Sequence, residues 1–336
     1  MKVTLCVLSL LVIPGLSRLS AATERFVPPA ACDGTVNHTW PKVDRGLLLC
    51  YKGWTDSSSG GPNIFVFDGS GRQTASYRLW FDGATKVYIE DVAAAPNGAI
   101  VGVGSAIASD GRMTGFFATM TGSQPAVRVV RLKTSIPYEV CAAQDGSFWT
   151  LVGAPPHEIV GEKDKDYDAL LHIGTTGQVS GEFLPRSGFK TTADPEVFTK
   201  EGGPRLFCGK SGVSAYIPAS GEWIEVDGTG NVLTHAQVPL IPFVKFSQFD
   251  IPLKYAQMFG MAMTESGAVY GSFQDERGPM LFRLDRTSLT WSRVAPESTE
   301  GGKTYKLLLG ADHDSLVYEV SYHDGSEVAL AWAGQP

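Results

Sequence analysis

The chain has no two cysteines in CxxC spacing, no GxSxG or HExxH pattern, and no apolar run of 18 residues beyond its first residues. Each absence removes a class. Without CxxC pairs a structural zinc site is disfavoured. Without the two catalytic signatures, neither a serine-hydrolase elbow nor a zinc-protease helix is present. Without a long apolar run, no integral membrane segment is expected in the mature chain. Basic excess is missing too: 28 Lys and Arg face 35 Asp and Glu, and the basic residues do not cluster, so nucleic acid is not an expected partner. Helical periodicity is almost absent.

One tempting motif also fails. Gly209-Lys210-Ser211 spells the end of a phosphate-binding loop, but position 204, where that loop needs glycine, is Pro204. The residues that follow, "GVSAYIPASGEW", read as strand, turn, strand rather than as a helix aimed at phosphate. The tripeptide is expected to be a turn.

What the sequence does have is glycine and proline, 38 and 20 of them, spread along 336 residues with 43% hydrophobic content. That combination suits an all-β protein of short strands and many tight turns with a large core. Residues 1–22 read as an export signal: Lys2, the apolar "VTLCVLSLLVI", the breakers Pro14 and Gly15, then small residues up to a cut after Ala21 or Ala22. A secreted or periplasmic protein is expected, with residues 23–336 as one domain. Removing Lys2 and Arg18 leaves 26 basic against 35 acidic side chains. Four cysteines remain, Cys32, Cys50, Cys141 and Cys208, and an oxidising compartment permits two bridges among three pairings.

Internal repeats carry the architecture. "VAAAPNGAIVGVG" (92–104), "VCAAQDGSFWTLVG" (140–153) and "MAMTESGAVYGSF" (261–273) each read as strand, Asx/Ser-Gly turn, strand. Weaker copies at 42–53, 205–217 and 308–320 bring the total to six, with turns near Gly46, Gly98, Gly146, Gly212, Gly267 and Asp314. A second turn follows in each of the first five, near Gly71, Gly122, Gly177, Gly230 and Ser288. The pattern predicts six units of four antiparallel strands, a six-bladed β-propeller. The sixth unit runs out after its third strand, so residues 23–29 are expected to supply the fourth and close the ring. Such closure would put Cys32 near Cys50. Cys141 and Cys208, five and four residues before their turn glycines, would come near each other on neighbouring inner strands.

The stretches "EDVAAAPNGAIVGVG" (90–104) and "MTESGAVYGSF" (263–273) resemble blades of six-bladed propellers of the NHL and gluconolactonase-like groups, without the "YVAD" strand ending or the "EGP" opening of those groups. The resemblance implies the fold and assigns no activity. From gluconolactonases it implies an alternative to simple binding: a metal-dependent hydrolase or lyase with calcium or another divalent cation at the channel mouth, for which Glu90 and Glu139 are the candidate ligands.

Propeller geometry directs the remaining expectations. Tight turns should share one face and the long connections, at 54–62, 153–168, 184–204 and 238–257, the other, which is then the binding face. Phe243, Phe246, Phe249 and Tyr255 in the last connection either lid the channel for a sugar or peptide or anchor the loop. Near the starts of inner strands lie Glu90, Asp91, Glu139, Arg205, Gln257 and Lys306, with Arg205 and Lys306 poised to salt-link the mouth. Asp164, Asp166 and Asp168 lack the glycine and glutamate of a calcium loop and read as solvated, and His313 and His323 as turn residues. No catalytic residue is assigned. The expectation is a non-catalytic binding module without a cofactor, whose partner is an extracellular protein, peptide or carbohydrate.

Overall fold

The computed structural model describes residues 23–26, 30–32, 39–122, 126–132, 135–153, 167–189, 205–245, 254–294, 303–322 and 328–333. The expected signal at 1–22 lies outside them. So do Phe246 and Phe249, Asp164 and Asp166, His323, and most of the connections at 153–168 and 184–204. Every element within the described residues is a strand except two three-residue 3-10 turns, Ala30–Cys32 and Arg186–Gly188.

Strand β1 (Thr23–Phe26) opens the chain. The first meander is β2 (Thr39–Asp44), β3 (Leu47–Lys52), β5 (Ile64–Phe67) and β6 (Gln73–Tyr77), with β4 (Trp54–Asp56) leaving it between β3 and β5. The second is β7 (Ala84–Ala94), β8 (Ile100–Ala108), β9 (Met113–Thr121) and β10 (Ala126–Leu132). The third is β11 (Ile136–Ala142), β12 (Phe148–Gly153), β13 (Asp168–Ile173) and β14 (Val179–Pro185). The fourth is β15 (Arg205–Cys208), β16 (Gly212–Ile217), β17 (Glu222–Asp227) and β18 (Val232–Gln237). The fifth is β19 (Gln257–Met263), β20 (Val269–Asp275), β21 (Gly278–Asp285) and β22 (Thr290–Val294). The last is β23 (Lys303–Asp312), β24 (Ser315–Tyr322) and β25 (Val328–Ala333), completed by β1, which pairs antiparallel with β25.

The turns explain why the chain folds back where it does. Gly98 and Gly146 sit at φ +81° and +82°, a region open to glycine and strained for other residues. The Asx residues before them, Asn97 and Asp145, accept the backbone N–H of Ala99 and Ser147. In the fourth meander the turn is Gly209 to Ser211, closed by the Gly209 N–H on the Gly212 carbonyl at 2.8 Å, while Gly212 itself already belongs to β16. The Gly-Lys-Ser tripeptide is thus a turn. In the fifth, Leu289 at φ 54° takes the left-handed position of the second turn in place of glycine.

Each core lies between two successive meanders, because a sheet apolar on both faces must pack against a neighbour on each side. Tyr51 and Ile64 pack with Val87 and Ile89; Val101 and Phe117 with Val140 and Phe148; Trp149 and Leu170 with Val213 and Ile224. Trp223 and Tyr216 pack with Met261 and Phe273, and Tyr270 and Leu281 with Leu316 and Tyr318. The sixth core joins Val43, Leu48 and Cys50 of the first meander to Leu309 and Val317 of the last. Burying each such side chain contributes about 1.5 to 3 kcal/mol. Across that boundary β2 also bridges β23 in parallel at Val43 and Gly310.

One connection differs from the sequence reading. Trp54–Asp56, taken as the start of a loop, is a strand that pairs antiparallel with β7, Trp54 opposite Tyr88. The first half of β7 pairs with β8 on one side, and β4 covers its other edge.

Candidate functional site

The first strands of the six meanders, β2, β7, β11, β15, β19 and β23, approach one another at the centre of the molecule. Their side chains line two cavities. One, of about 670 Å³, opens where these strands begin, on the side of the long connections. The other, of about 550 Å³, opens at the tight turns. Lys42, Glu139, Arg205, Met261 and Leu309 line both and form the partition between them.

Strand period explains the contribution of β2. Alternate side chains share a face, so Trp40 stands in the first cavity, Lys42 in the partition and Asp44 in the second cavity. In β7, β11, β19 and β23 a bulge interrupts the pairing, at Glu90, Tyr138, Phe259 and Lys306 respectively. A bulge re-aims the side chains beside it. Gly104 accommodates the first of them: a Cβ there would sit 2.0 Å from the Tyr88 carbonyl oxygen.

The charged part of the partition is a network of two ion pairs. Lys42 Nζ donates to both oxygens of Asp91, at 2.8 and 2.7 Å, and the Val140 N–H donates to Asp91 Oδ2 at 2.9 Å. Arg205 Nη1 donates to Glu139 Oε1 at 2.9 Å. Below them the Ala94 N–H donates to Asp44 Oδ2, and Arg45 donates to the Ala94 and Ala142 carbonyls. Four strands far apart in sequence are thus tied by charge at the centre.

Burial sets the electrostatics. Desolvation pushes the Glu139 carboxyl up, to about 7, with the Asp91 charge adding to it and Arg205 and Lys42 opposing. For Lys42, burial pulls the ammonium down, but Asp91, Glu139 and Asp44 outweigh it and the net shift is upward. The Tyr51 phenol, which donates to the Glu90 carbonyl at 3.1 Å, is held well above its usual range by burial and by the Asp91 and Glu139 charges.

Opposite this charged quadrant the cavity wall is apolar, with Leu240, Ile241, Met258, Phe273 and Leu308. Trp40, Tyr255 and Phe259 line the same cavity and stay 37%, 38% and 42% exposed, and the Lys254 ammonium lies over the Tyr255 ring, 5.2 Å from its centroid.

Of the site residues expected from sequence, Glu90, Asp91, Glu139, Arg205 and Tyr255 line this one cavity. Phe243 does not; it is half-buried, and its backbone N–H is bonded to the Lys254 carbonyl at 3.0 Å. Glu90 lies beside Tyr138, whose hydroxyl is pushed up by burial first and then by Glu90 and Tyr167. Of the two candidate metal ligands, Glu139 is held by Arg205, and Glu90 stands at a bulge one residue before the carboxylate that Lys42 holds. Among the described residues no group of three or more His, Cys, Asp or Glu side chains is placed to hold a metal ion. Sequence reasoning missed Trp40, Lys42, Tyr51 and Phe259. The signal for the first two was the alternation of Trp40, Lys42 and Asp44 on one strand face.

Both disulfides form as the cysteine spacing suggested, Cys32 with Cys50 and Cys141 with Cys208. His313 sits at a tight turn, at φ 52°, bonded to Glu265 at 2.9 Å. Among the described residues no helix is long and apolar enough to cross a membrane.

Four-stranded antiparallel meanders whose first strands share a centre place this chain in the β-propeller class of fold. No protein-family model and no curated protein matches the sequence. Among solved structures, an exported protein of Bacteroides fragilis is similar at a TM-score of 0.54 and 12% identity, over 94% of this chain and 95% of that one. A protein of unknown function from Bacteroides thetaiotaomicron follows at 0.52 and 11%, over 95% and 74%. The soluble aldose sugar dehydrogenase of Escherichia coli aligns at 0.47 and 13%, over 94% and 100%. At these identities the likeness to the first two speaks for the fold alone.

Proposed function

We propose that the chain is an exported, closed six-bladed β-propeller that binds a carbohydrate in the 670 Å³ cavity at the long-connection side of its channel. The six cores, each between successive meanders, and the β1 to β25 and β2 to β23 pairings support closure. Two disulfides support an oxidising compartment.

The observation that carries the ligand class is the pairing of three part-exposed aromatic side chains, Trp40, Tyr255 and Phe259, with a floor of hydrogen-bonding groups whose charges are already matched. A sugar ring has an apolar face for stacking and hydroxyls for such a floor, and the cavity volume falls in the range of small-ligand sites. Isothermal titration of a panel of neutral oligosaccharides tests it. At least one should bind saturably to the wild type, and Trp40→Ala or Phe259→Ala should weaken it at least about tenfold, a loss of about 1.4 kcal/mol, with unchanged melting temperature. Binding that ignores both substitutions contradicts the reading.

A second reading, hydrolysis or elimination, has one observation in its favour: a carboxyl with a midpoint near 7 in a cavity is suited to general acid and base work. The metal-dependent form fits the residues poorly. A divalent cation on Glu90 and Glu139 would have to displace Arg205 from the Glu139 carboxylate. Added calcium and added EDTA should each leave the melting temperature unchanged; a rise with millimolar calcium would favour the enzyme.

A further inference from the structure

We propose that the Cys141–Cys208 disulfide is the positioning element of the cavity floor: it holds Arg205 of β15 against Glu139 of β11, and it leaves that contact open to thiol reductants arriving through the opposite cavity. The inference rests on β11 and β15 and needs no ligand.

The two strands lie side by side and run the same way, since Glu139 meets Arg205 and, further along both, Cys141 meets Cys208. No backbone ladder joins them among the described residues. Their register therefore depends on side chains: the ion pair, the disulfide and the packing of Leu206 and the two half-buried cysteines into the core between the third and fourth meanders. At a rise of about 3.3 Å per residue, the two residues from Glu139 to Cys141 and the three from Arg205 to Cys208 put the ion pair roughly 7 to 10 Å from the staple. At that distance a covalent tie fixes where the guanidinium falls.

Access distinguishes the two disulfides. Cys32 and Cys50 are 5% and 0% exposed. Cys141 and Cys208 line the tight-turn cavity beside Gly209, Lys210 and Ser211. A dithiol reaching that cavity attacks one sulfur as thiolate and forms a mixed disulfide; its second thiol then displaces the protein sulfur. Two electrons and two protons pass to Cys141 and Cys208, and the dithiol leaves as its own disulfide. Arg205 can then shift, and Glu139 is left facing Asp91, Lys42 and Tyr51 from the neighbouring strands.

The test follows the Glu139 side-chain carboxyl by carbon NMR over pH in the full chain, with Glu139→Gln identifying the resonance. Samples are the oxidised wild type, the dithiothreitol-treated wild type and the Cys141→Ala/Cys208→Ala variant. Opening the staple should raise the midpoint by about one unit, the effect of weakening one opposite charge. Alkylation should mark Cys141 and Cys208 at reductant concentrations that leave Cys32 and Cys50 joined. In Arg205→Ala, reduction should no longer move the midpoint. If the double-alanine variant does not fold, the reduced wild type carries the titration. An unmoved midpoint after reduction with β-sheet circular dichroism preserved, earlier reduction of Cys32 and Cys50, or unfolding on reduction of Cys141 and Cys208 alone would each overturn the proposal.

Discussion

The Lys42 ammonium sits 2.8 and 2.7 Å from the two carboxylate oxygens of Asp91, joining the first strands of two meanders 49 residues apart in the chain. Asp91 is almost fully buried, at 4% side-chain exposure, and Lys42 is 26% exposed. Such a pair stabilises less through its own attraction than through what its rupture leaves behind, a buried carboxylate with no counter-charge.

Lys42→Met should therefore cost about 3 kcal/mol in urea unfolding. Asp91→Leu added to it should recover part of the loss, leaving the Val140 N–H without its acceptor. A double-mutant cycle reads the coupling. Additive single effects would mean the contact contributes nothing.

Glu139 gives the fold a pH dependence of defined sign. Its carboxyl titrates near 7 in the folded chain against the usual 4.5, so its contribution is fully present below about 4.5 and lost as pH rises to 7. A shift of that size corresponds to about 3 kcal/mol. Unfolding free energies of wild type and Glu139→Gln at pH 5 and pH 8 check this. The wild type should lose more stability than the variant over the interval, whatever the variant's absolute stability; parallel curves would remove Glu139 from the account.

Gly310 tests the contact between the first and last meanders. A Cβ there would lie 2.1 Å from the Val43 carbonyl oxygen, on the strand that bridges β2. Gly310→Ala should push β23 from β2 and cost about 2 kcal/mol or more, seen as a lower urea midpoint. Gly111→Ala, at a turn with open space around the Cβ, shares the positive φ but not the clash and should cost less. Equal losses would mean the boundary is not closely packed.

The sequence carried the fold better than the site, and the strands show why. Turns repeat visibly because a left-handed backbone demands Gly98 or Gly146 and an Asx partner rewards Asn97 or Asp145. Asp91, Glu139 and Arg205 were legible because each is a charged residue near the expected start of an inner strand. Lys42 stands only four residues before Gly46, in the second half of β2, so a reading of strand starts passes over it. Phe259 was hidden for another reason: it reads as one apolar residue of a buried strand until the bulge between Met258 and Gly260 turns it into the cavity. Tyr255 was found as an aromatic loop residue and lines the cavity, while Phe243 of the same loop does not. Side-chain direction in a loop follows from tertiary contacts that spacing does not encode.

The central claim is that the aromatic cavity above the Lys42–Asp91 and Glu139–Arg205 pairs is where this protein meets its ligand. The most direct measurement is a crystal structure of the full chain soaked with the tightest-binding oligosaccharide of the titration panel. The account predicts a sugar ring stacked on Trp40, Tyr255 or Phe259 with hydroxyls bonded to the ion-paired floor; a sugar held instead at the tight-turn cavity or on the outer strands would contradict it.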